Sequence, residues 1–119
     1  MATNYIANNF GHIATNAQHA EYMQMDLQKH RIYIALLNTL EIIAGNSTYL
    51  AYKVEENYNI TTIDTSEFIE VLEELSEGDY DIGTDTKVLQ RFENLQKEYR
   101  TQCEKIDNYK HSVVFGTKK

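Results

Sequence analysis

A long run of acidic residues with no basic residue among them lies in the middle of this 119-residue chain. Between Lys53 and Lys87 the chain holds eleven Asp and Glu residues and no Lys, Arg or His. They are Glu55, Glu56, Asp64, Glu67, Glu70, Glu73, Glu74, Glu77, Asp79, Asp81 and Asp85. The formal net charge of −7 therefore divides into −11 for this run and +4 for the rest of the chain. A field of one sign attracts oppositely charged partners, so we expect a basic partner and no direct binding of nucleic acid or an anionic membrane.

Part of this run follows the period of an α-helix. At 100° per residue, Glu67, Glu70, Glu74 and Glu77 fall within about 80° of arc, and Glu73 lies at one edge. Each like-charge pair at i, i+3 or i, i+4 costs roughly 0.2–0.5 kcal/mol, and no Lys offsets the five pairs formed here. Local stability does not explain the pattern. We therefore predict a partner-binding surface, called the acidic face below, that consists of Glu67, Glu70, Glu73, Glu74, Glu77, Asp79, Asp81 and Asp85.

The alternative interpretation gives the acidic face no partner. Exposed carboxylates are common, and such a helix face can simply be solvated. It can also lie near the basic residues of the chain's own last helix, where such surface pairs contribute little stability. Those residues are Lys87, Arg91, Lys97, Arg100, Lys105 and Lys110.

Two Asp-x-x-x-His pairs suggest a metal site as a second hypothesis. His19, Asp26 and His30 fall within about 40° of one another on the first predicted helix, and Asp107 and His111 lie four residues apart on the last one. If these helices are antiparallel, the five side chains lie toward one end of the bundle, where helical bundles build carboxylate and imidazole metal sites. The spacing also suits an ordinary surface hydrogen bond. No other cofactor is expected.

The other candidate sites are weaker. The loop from Asp79 to Asp85 has acids at positions 1, 3 and 7 of a calcium loop, but Thr84 replaces the turn glycine and Gln90 replaces the bidentate Glu. Cys103 has no sequence cue for an activating base, and its place in a helical pattern suits a small buried hydrophobe. Glycine-rich phosphate loops and nucleophile elbows are absent from the sequence. We therefore expect that the chain is not an enzyme.

Helical periodicity predicts the elements that position these residues. The chain contains no Pro, so its helices can be long. We predict four helices: 16–44, a second capped by Ser47 and running through Tyr58, a third opened by an Asp64–Glu67 capping box and ending near Gly78, and a fourth of about 25 residues capped by Thr84 or Asp85. The second segment has enough Tyr and Val to form a strand instead.

The apolar positions predict which helix faces pack. On the first helix we expect a face of Met23, Leu27, Ile34 and Leu37, widened by Ile32, Leu36, Leu40 and Ile43. On the third helix we expect the packing face to be Phe68, Val71, Leu72 and Leu75. On the fourth helix the seam includes Val88, Phe92, Leu95, Tyr99 and Ile106.

These patterns predict an all-α fold, a small helical bundle with long first and last helices and two shorter helices between them. We expect one domain over residues 1–119, with a short flexible tail from about residue 116. The sequence shows neither an apolar run long enough to span a membrane nor the pattern of a signal peptide, so we expect a cytoplasmic protein.

The acidic face leads to the main functional hypothesis. We expect a small interaction protein that blocks a basic surface of another protein, one that itself binds nucleic acid. Small acidic proteins of this kind are similar in general character to phage-encoded inhibitors of CRISPR or restriction nucleases, although no motif here matches one family. The alternatives are a metal-dependent bundle enzyme and a structural helical oligomer, for example a homodimer through the fourth helix.

Overall fold

The structure is a computed structural model that describes residues 15–78, 82–83 and 85–115. Within these residues the chain forms four α-helices and no β-strand: α1 (Asn16–Ile43), α2 (Thr48–Asn57), α3 (Thr65–Ser76) and α4 (Thr86–Phe115). This confirms the all-α bundle with long first and last helices and two short ones between them. None of the helices in the described part of the chain combines the length and apolarity needed to cross a membrane.

The boundary between α1 and α2 follows the predicted cap chemistry. Gly45 and Asn46 have φ angles of 70° and 64°, a left-handed conformation that ends helices. Asn46 N then donates to Glu41 O at 2.9 Å, which satisfies a carbonyl in the last turn of α1. Ser47 is the N-cap of α2, and its Oγ accepts a hydrogen bond from Leu50 N at 3.1 Å. The second segment is therefore a helix and not the alternative strand.

The starts of α3 and α4 differ from each other. Asp64 precedes α3 as predicted, but its carboxylate caps no backbone N–H and instead accepts a hydrogen bond from the Ser66 hydroxyl. The predicted capping box is therefore not formed. Asp85 Oδ1 accepts from Lys87 N at 2.8 Å at the start of α4. Thr84 and the tail from residue 116 lie outside the described residues.

The last helix is longer than predicted. α4 has 30 residues rather than about 25, and it continues through Val113, which is buried against Tyr22 and Ile106. Burial of Val113 gives the final turns of α4 a packing contact, and such contacts decide helix length more than propensity does.

The chain is divided into two compact units, and α1 and α4 each contribute to both. The central unit, Ile32–Arg100, contains the main apolar core. At its centre Phe68 of α3 meets Phe92 of α4 with ring centroids 4.6 Å apart. Its fully buried residues include Leu36, Leu40, Ile43, Leu50, Val54, Ile60, Phe68, Leu72 and Phe92.

The terminal unit is formed by the described residues up to 31 and from 101 onward. Its core is smaller and consists of Tyr22, Ile106 and Val113. Polar contacts add to it, because Gln102 Nε2 donates to Met25 O at 2.9 Å and Tyr109 Oη donates to Gln18 O at 3.2 Å.

The predicted packing face of α1 was partly wrong. Met23, Leu27 and Ile34 are 43, 45 and 41 % exposed. The buried positions in the second half are those predicted only to widen the face: Ile32, Leu36, Leu40 and Ile43. Spacing alone does not distinguish the two sets, since each repeats at helical intervals and only the packing against other segments selects one.

Candidate interaction surface

Four glutamates of the acidic face, Glu67, Glu70, Glu73 and Glu74, lie on the side of α3 that is turned away from the core, and Glu77 directly follows the helix. Phe68, Val71 and Leu72 are buried in the central unit, as predicted, and they fix the rotation of the helix. Leu75 was predicted to face the core but is 38 % exposed. The exposed carboxylates are Glu67, Glu70, Glu73, Glu74 and Glu77.

Polar side chains of α4 hold the segment that leads into α3. The buried Gln96 donates from Nε2 to Ile60 O at 3.0 Å and to Ile63 O at 2.9 Å. Arg100 donates to Thr61 O at 2.6 Å. These three carbonyls would otherwise need other partners at a chain segment without helical hydrogen bonds. The entry to α3 is therefore fixed by hydrogen bonds as well as by apolar packing.

The first residue of α3 is fixed in the same way. Thr65 Oγ1 donates to Glu93 Oε2 at 2.6 Å, which joins α3 directly to α4. None of these polar contacts was predicted from the sequence. The sequence feature that could have predicted them is Gln96, which lies four residues after Phe92 on the apolar side of α4. A buried amide at that position needs hydrogen-bond partners.

The C-terminal end of α3 is unfavourable for the charges that it carries. Glu73 and Glu74 lie in the last turn, near the negative end of the helix dipole, and this turn contains no basic residue. Glu77 follows with φ 50°, a left-handed conformation that a residue with a Cβ adopts at a cost. Gly78 is also left-handed, and its N–H donates to Ser76 Oγ at 3.3 Å.

The described members of the acidic face, the five glutamates and Asp85, have no cationic partner among the described residues. No Lys, Arg or His nitrogen of that part of the chain lies within 4.0 Å of them, although Lys29 and Asp26 on α1 form an ion pair at 3.5 Å. The interpretation in which α4 neutralises the acidic face by ion pairs is therefore not realised in the described residues. Asp85 is exposed, and Asp79 and Asp81 lie outside those residues.

One acid of the run has a structural role instead. Glu55 of α2 accepts a hydrogen bond from the Tyr33 hydroxyl at 2.7 Å, and the Tyr33 ring packs against Tyr99 with centroids 5.6 Å apart. Burial of the phenol, followed by the Glu55 hydrogen bond and charge, raises the pKa of Tyr33 above its ordinary value. Glu55 therefore belongs to the helix contacts, whereas Glu56 is exposed.

The five predicted metal ligands do not form a metal-binding group among the described residues. All five are described: His19 and Asp26 are half-buried on α1, while His30, Asp107 and His111 are exposed. Among the described residues no group of three His, Cys, Asp or Glu side chains has a geometry that could hold a metal ion. The predicted calcium-type loop falls largely outside these residues.

The apolar seam of α4, through which a homodimer was predicted as an alternative, packs against other residues of the same chain. In the central unit Phe92 is fully buried, Tyr99 packs on Tyr33 and Leu95 is half-buried. In the terminal unit Ile106 is buried with Tyr22. Cys103, predicted to be buried, is half-buried.

No family model, curated protein or solved structure matches this chain. A function is therefore inferred from its charges and geometry alone.

Proposed function

We propose that this chain binds a basic surface of another protein through the acidic face and thereby keeps nucleic acid from that surface. The observation that carries the proposal is the set of four exposed glutamates on α3 and a fifth, Glu77, directly after it, with no cation of the described residues within ion-pair distance. Basic side chains of a partner would supply the missing counter-charges.

The acidic face costs the folded chain stability in three ways. Neighbouring glutamates repel one another, Glu73 and Glu74 oppose the helix dipole, and Glu77 adopts a left-handed conformation. All three costs fall on one exposed surface. A binding role accounts for this concentration, because strained or unfavourable groups cluster at sites that act on a ligand.

The spacing of the charges suits a surface that normally binds nucleic acid. A rise of 1.5 Å per residue separates successive glutamates of the stripe by roughly 4.5–6 Å along the helix axis, in the general range of the charge spacing along a nucleic-acid strand. A groove whose Lys and Arg side chains are placed for phosphates therefore meets carboxylates at similar intervals. The contacts of α4 with the entry to α3 hold this row of charges rigid before binding, which lowers the entropic cost of the complex.

The test compares three forms of the chain as bait in a pull-down from lysate of the cells in which the protein occurs. The face variant is Glu70→Lys with Glu74→Lys. The matched control is Glu98→Lys with Glu104→Lys, two exposed glutamates of α4 outside the acidic face. Both variants change the net charge from −7 to −3, so a difference between them reports position and not total charge.

We expect the wild type and the control to retain a basic nucleic-acid-binding protein that the face variant does not retain. The complex should dissociate as salt is raised, because exposed charge pairs are screened over about 8–10 Å at ordinary ionic strength. Wild-type protein should then displace nucleic acid from the purified partner. A partner that all three forms retain equally, or one that keeps its nucleic acid at saturating wild-type protein, would contradict the proposal.

A further inference from the structure

A cleft of about 110 Å³ opens between α1 and α2 in the central unit. Leu37 and Ala51 form apolar walls, and the aromatic ring of Tyr52 forms a further part of the lining. Asn38, Glu41 and Thr48 complete the lining with polar groups. The volume is close to that of four water molecules at ~30 Å³ each, which is the size of the outer part of one long side chain.

The polar part of the cleft is arranged to receive a cation. Glu41 Oε2 accepts a hydrogen bond from the Thr48 hydroxyl, which fixes the carboxylate at the cleft. A carboxylate has about four acceptor positions, so this bond leaves capacity for a second donor. No Lys, Arg or His nitrogen of the described residues lies within 4.0 Å of Glu41.

The aromatic part of the cleft is also available. Tyr52 is 55 % exposed, and within the described residues no cation lies over its ring. Its neighbour Tyr49 shows the contact that such a ring can make, since Lys53 Nζ lies 5.6 Å from the centre of the Tyr49 ring. An exposed ring beside a carboxylate that has no ion pair within the described residues attracts a cation with a flat, apolar face.

The geometry points to an arginine side chain of a partner protein as the occupant of this cleft. The methylene stem would lie against Leu37 and Ala51, and the guanidinium would donate to Glu41 while it stacks on Tyr52. A purely apolar side chain would remove water from the Glu41 carboxylate without replacing it by a donor, which is unfavourable. An anion would be repelled by the same carboxylate.

The inference deepens the proposed function, on which it rests for the basic character of the partner. The cleft would hold one basic side chain by shape and stacking, whereas the acidic face attracts a basic surface by its field. A side chain that enters a pocket contributes more to affinity than exposed charges at the rim of an interface.

The cleft can be tested without the partner by NMR. The probe is N-acetyl-arginine amide, added to the full ¹⁵N-labelled chain, and its neutral analogue N-acetyl-citrulline amide is the matched control ligand. We expect saturable shifts at the amides of Leu37, Ala51 and Tyr52 with the arginine probe, at a dissociation constant on the order of 1 mM for a ligand of about 15 heavy atoms. The citrulline probe should shift them much less.

Variants locate the binding. Glu41→Gln keeps an acceptor for Thr48 but removes the charge, and it should weaken binding about fivefold to tenfold. Glu56→Gln, an exposed glutamate of α2 outside the cleft lining, is the matched control and should bind the probe as the wild type does. The face variant Glu70→Lys with Glu74→Lys should also keep the cleft shifts.

The outcomes separate this inference from the proposed function. Shifts confined to α3, equal shifts with citrulline, or wild-type binding by Glu41→Gln would each overturn the cleft assignment. Loss of the pull-down partner in the face variant together with any of these results would leave the acidic face as the binding surface and remove the cleft. If the cleft binds the arginine probe but the pull-down finds no charge-dependent partner, the cleft assignment stands and the proposed function of the acidic face is refuted.

Discussion

Reversing two charges of the acidic face should make the folded chain more stable while it removes partner binding. The variant is Glu70→Lys with Glu74→Lys. In the wild type these residues form like-charge pairs with Glu67, Glu73 and Glu77, and with each other. The variant turns the first three pairs into attractive ones and leaves the fourth as a pair of like charges. Both side chains are exposed, so the change does not disturb the packing of Phe68 and Leu72.

The size of the effect follows from the pairs. Each repulsive pair costs about 0.2–0.5 kcal/mol and each attractive pair contributes a similar amount, so three reversals give an upper limit of about 3 kcal/mol. Two of the new pairs place Lys before Glu, which is the weaker order, and all are screened by solvent. We therefore expect a gain of about 1 kcal/mol in the free energy of unfolding. For a chain of this size that corresponds to roughly 4 °C in Tm.

The assay is thermal unfolding followed by circular dichroism at low salt and again at about 1 M salt, where the screening length falls to about 3 Å. The gain should appear at low salt and largely vanish at high salt. Glu98→Lys with Glu104→Lys should show little change, because Glu98 has no charged neighbour at i±3 or i±4 and Glu104 has Arg100 on one side and Asp107 on the other. A face variant less stable than the wild type at low salt would refute the claim that the acidic face opposes folding. A gain in the free energy of unfolding that does not depend on salt would show that the gain is not caused by charge repulsion.

Three further predictions concern stability. Gln96→Ala removes both hydrogen bonds to the carbonyls before α3 and should lower the free energy of unfolding by about 2 kcal/mol, seen as a lower urea midpoint; a loss below about 0.5 kcal/mol would contradict the role assigned to Gln96. Glu77→Gly should raise stability by about 0.5–1 kcal/mol in thermal unfolding because Gly adopts the left-handed conformation freely, whereas Glu77→Ala should gain less if backbone strain dominates. The fold raises the pKa of Tyr33 above the ordinary value of 10.0. The contribution of the Tyr33 hydroxyl to the free energy of unfolding is therefore complete below about pH 10 and is lost as the pH rises further. Tyr33→Phe should accordingly be less stable than the wild type by about 1 kcal/mol near pH 8 in urea unfolding, with a difference that narrows toward about pH 11 and not one that is constant.

Local signals in the sequence were sufficient to predict the elements of this fold. Gly45 and Asn46 marked the end of α1, and Ser47 marked the start of α2, because these residues have conformational or hydrogen-bonding properties that act within a few positions. The exposure of Glu67, Glu70, Glu73 and Glu74 was predictable for the same reason, since charge and helical period together place them on one side of α3. The capping box at Asp64 failed because Ser66 offered its carboxylate a competing hydrogen bond.

Contacts between distant segments were beyond the sequence pattern. α1 has two apolar sets at helical spacing, and the choice of Leu36 and Leu40 over Met23 and Leu27 as buried residues depends on which neighbours lie beside each half. The cleft beside Glu41 depends on the approach of α2 to α1. Likewise, the sequence around Gln96 does not predict that its hydrogen-bond partners are carbonyls more than thirty residues earlier in the chain.

The hydrogen bonds from α4 also have a consequence for binding. Gln96 and Arg100 do not belong to the acidic face, yet they hold the backbone from which α3 starts, and Thr65 extends this attachment to the first turn of the helix. Without these bonds α3 would be attached mainly through the apolar packing of Phe68, Val71 and Leu72. A partner whose basic groups match carboxylates at regular intervals binds more tightly only if the spacing and direction of those carboxylates are fixed before contact. On the proposed function, the polar residues of α4 would therefore contribute to partner affinity through the orientation of α3, without contact with the partner.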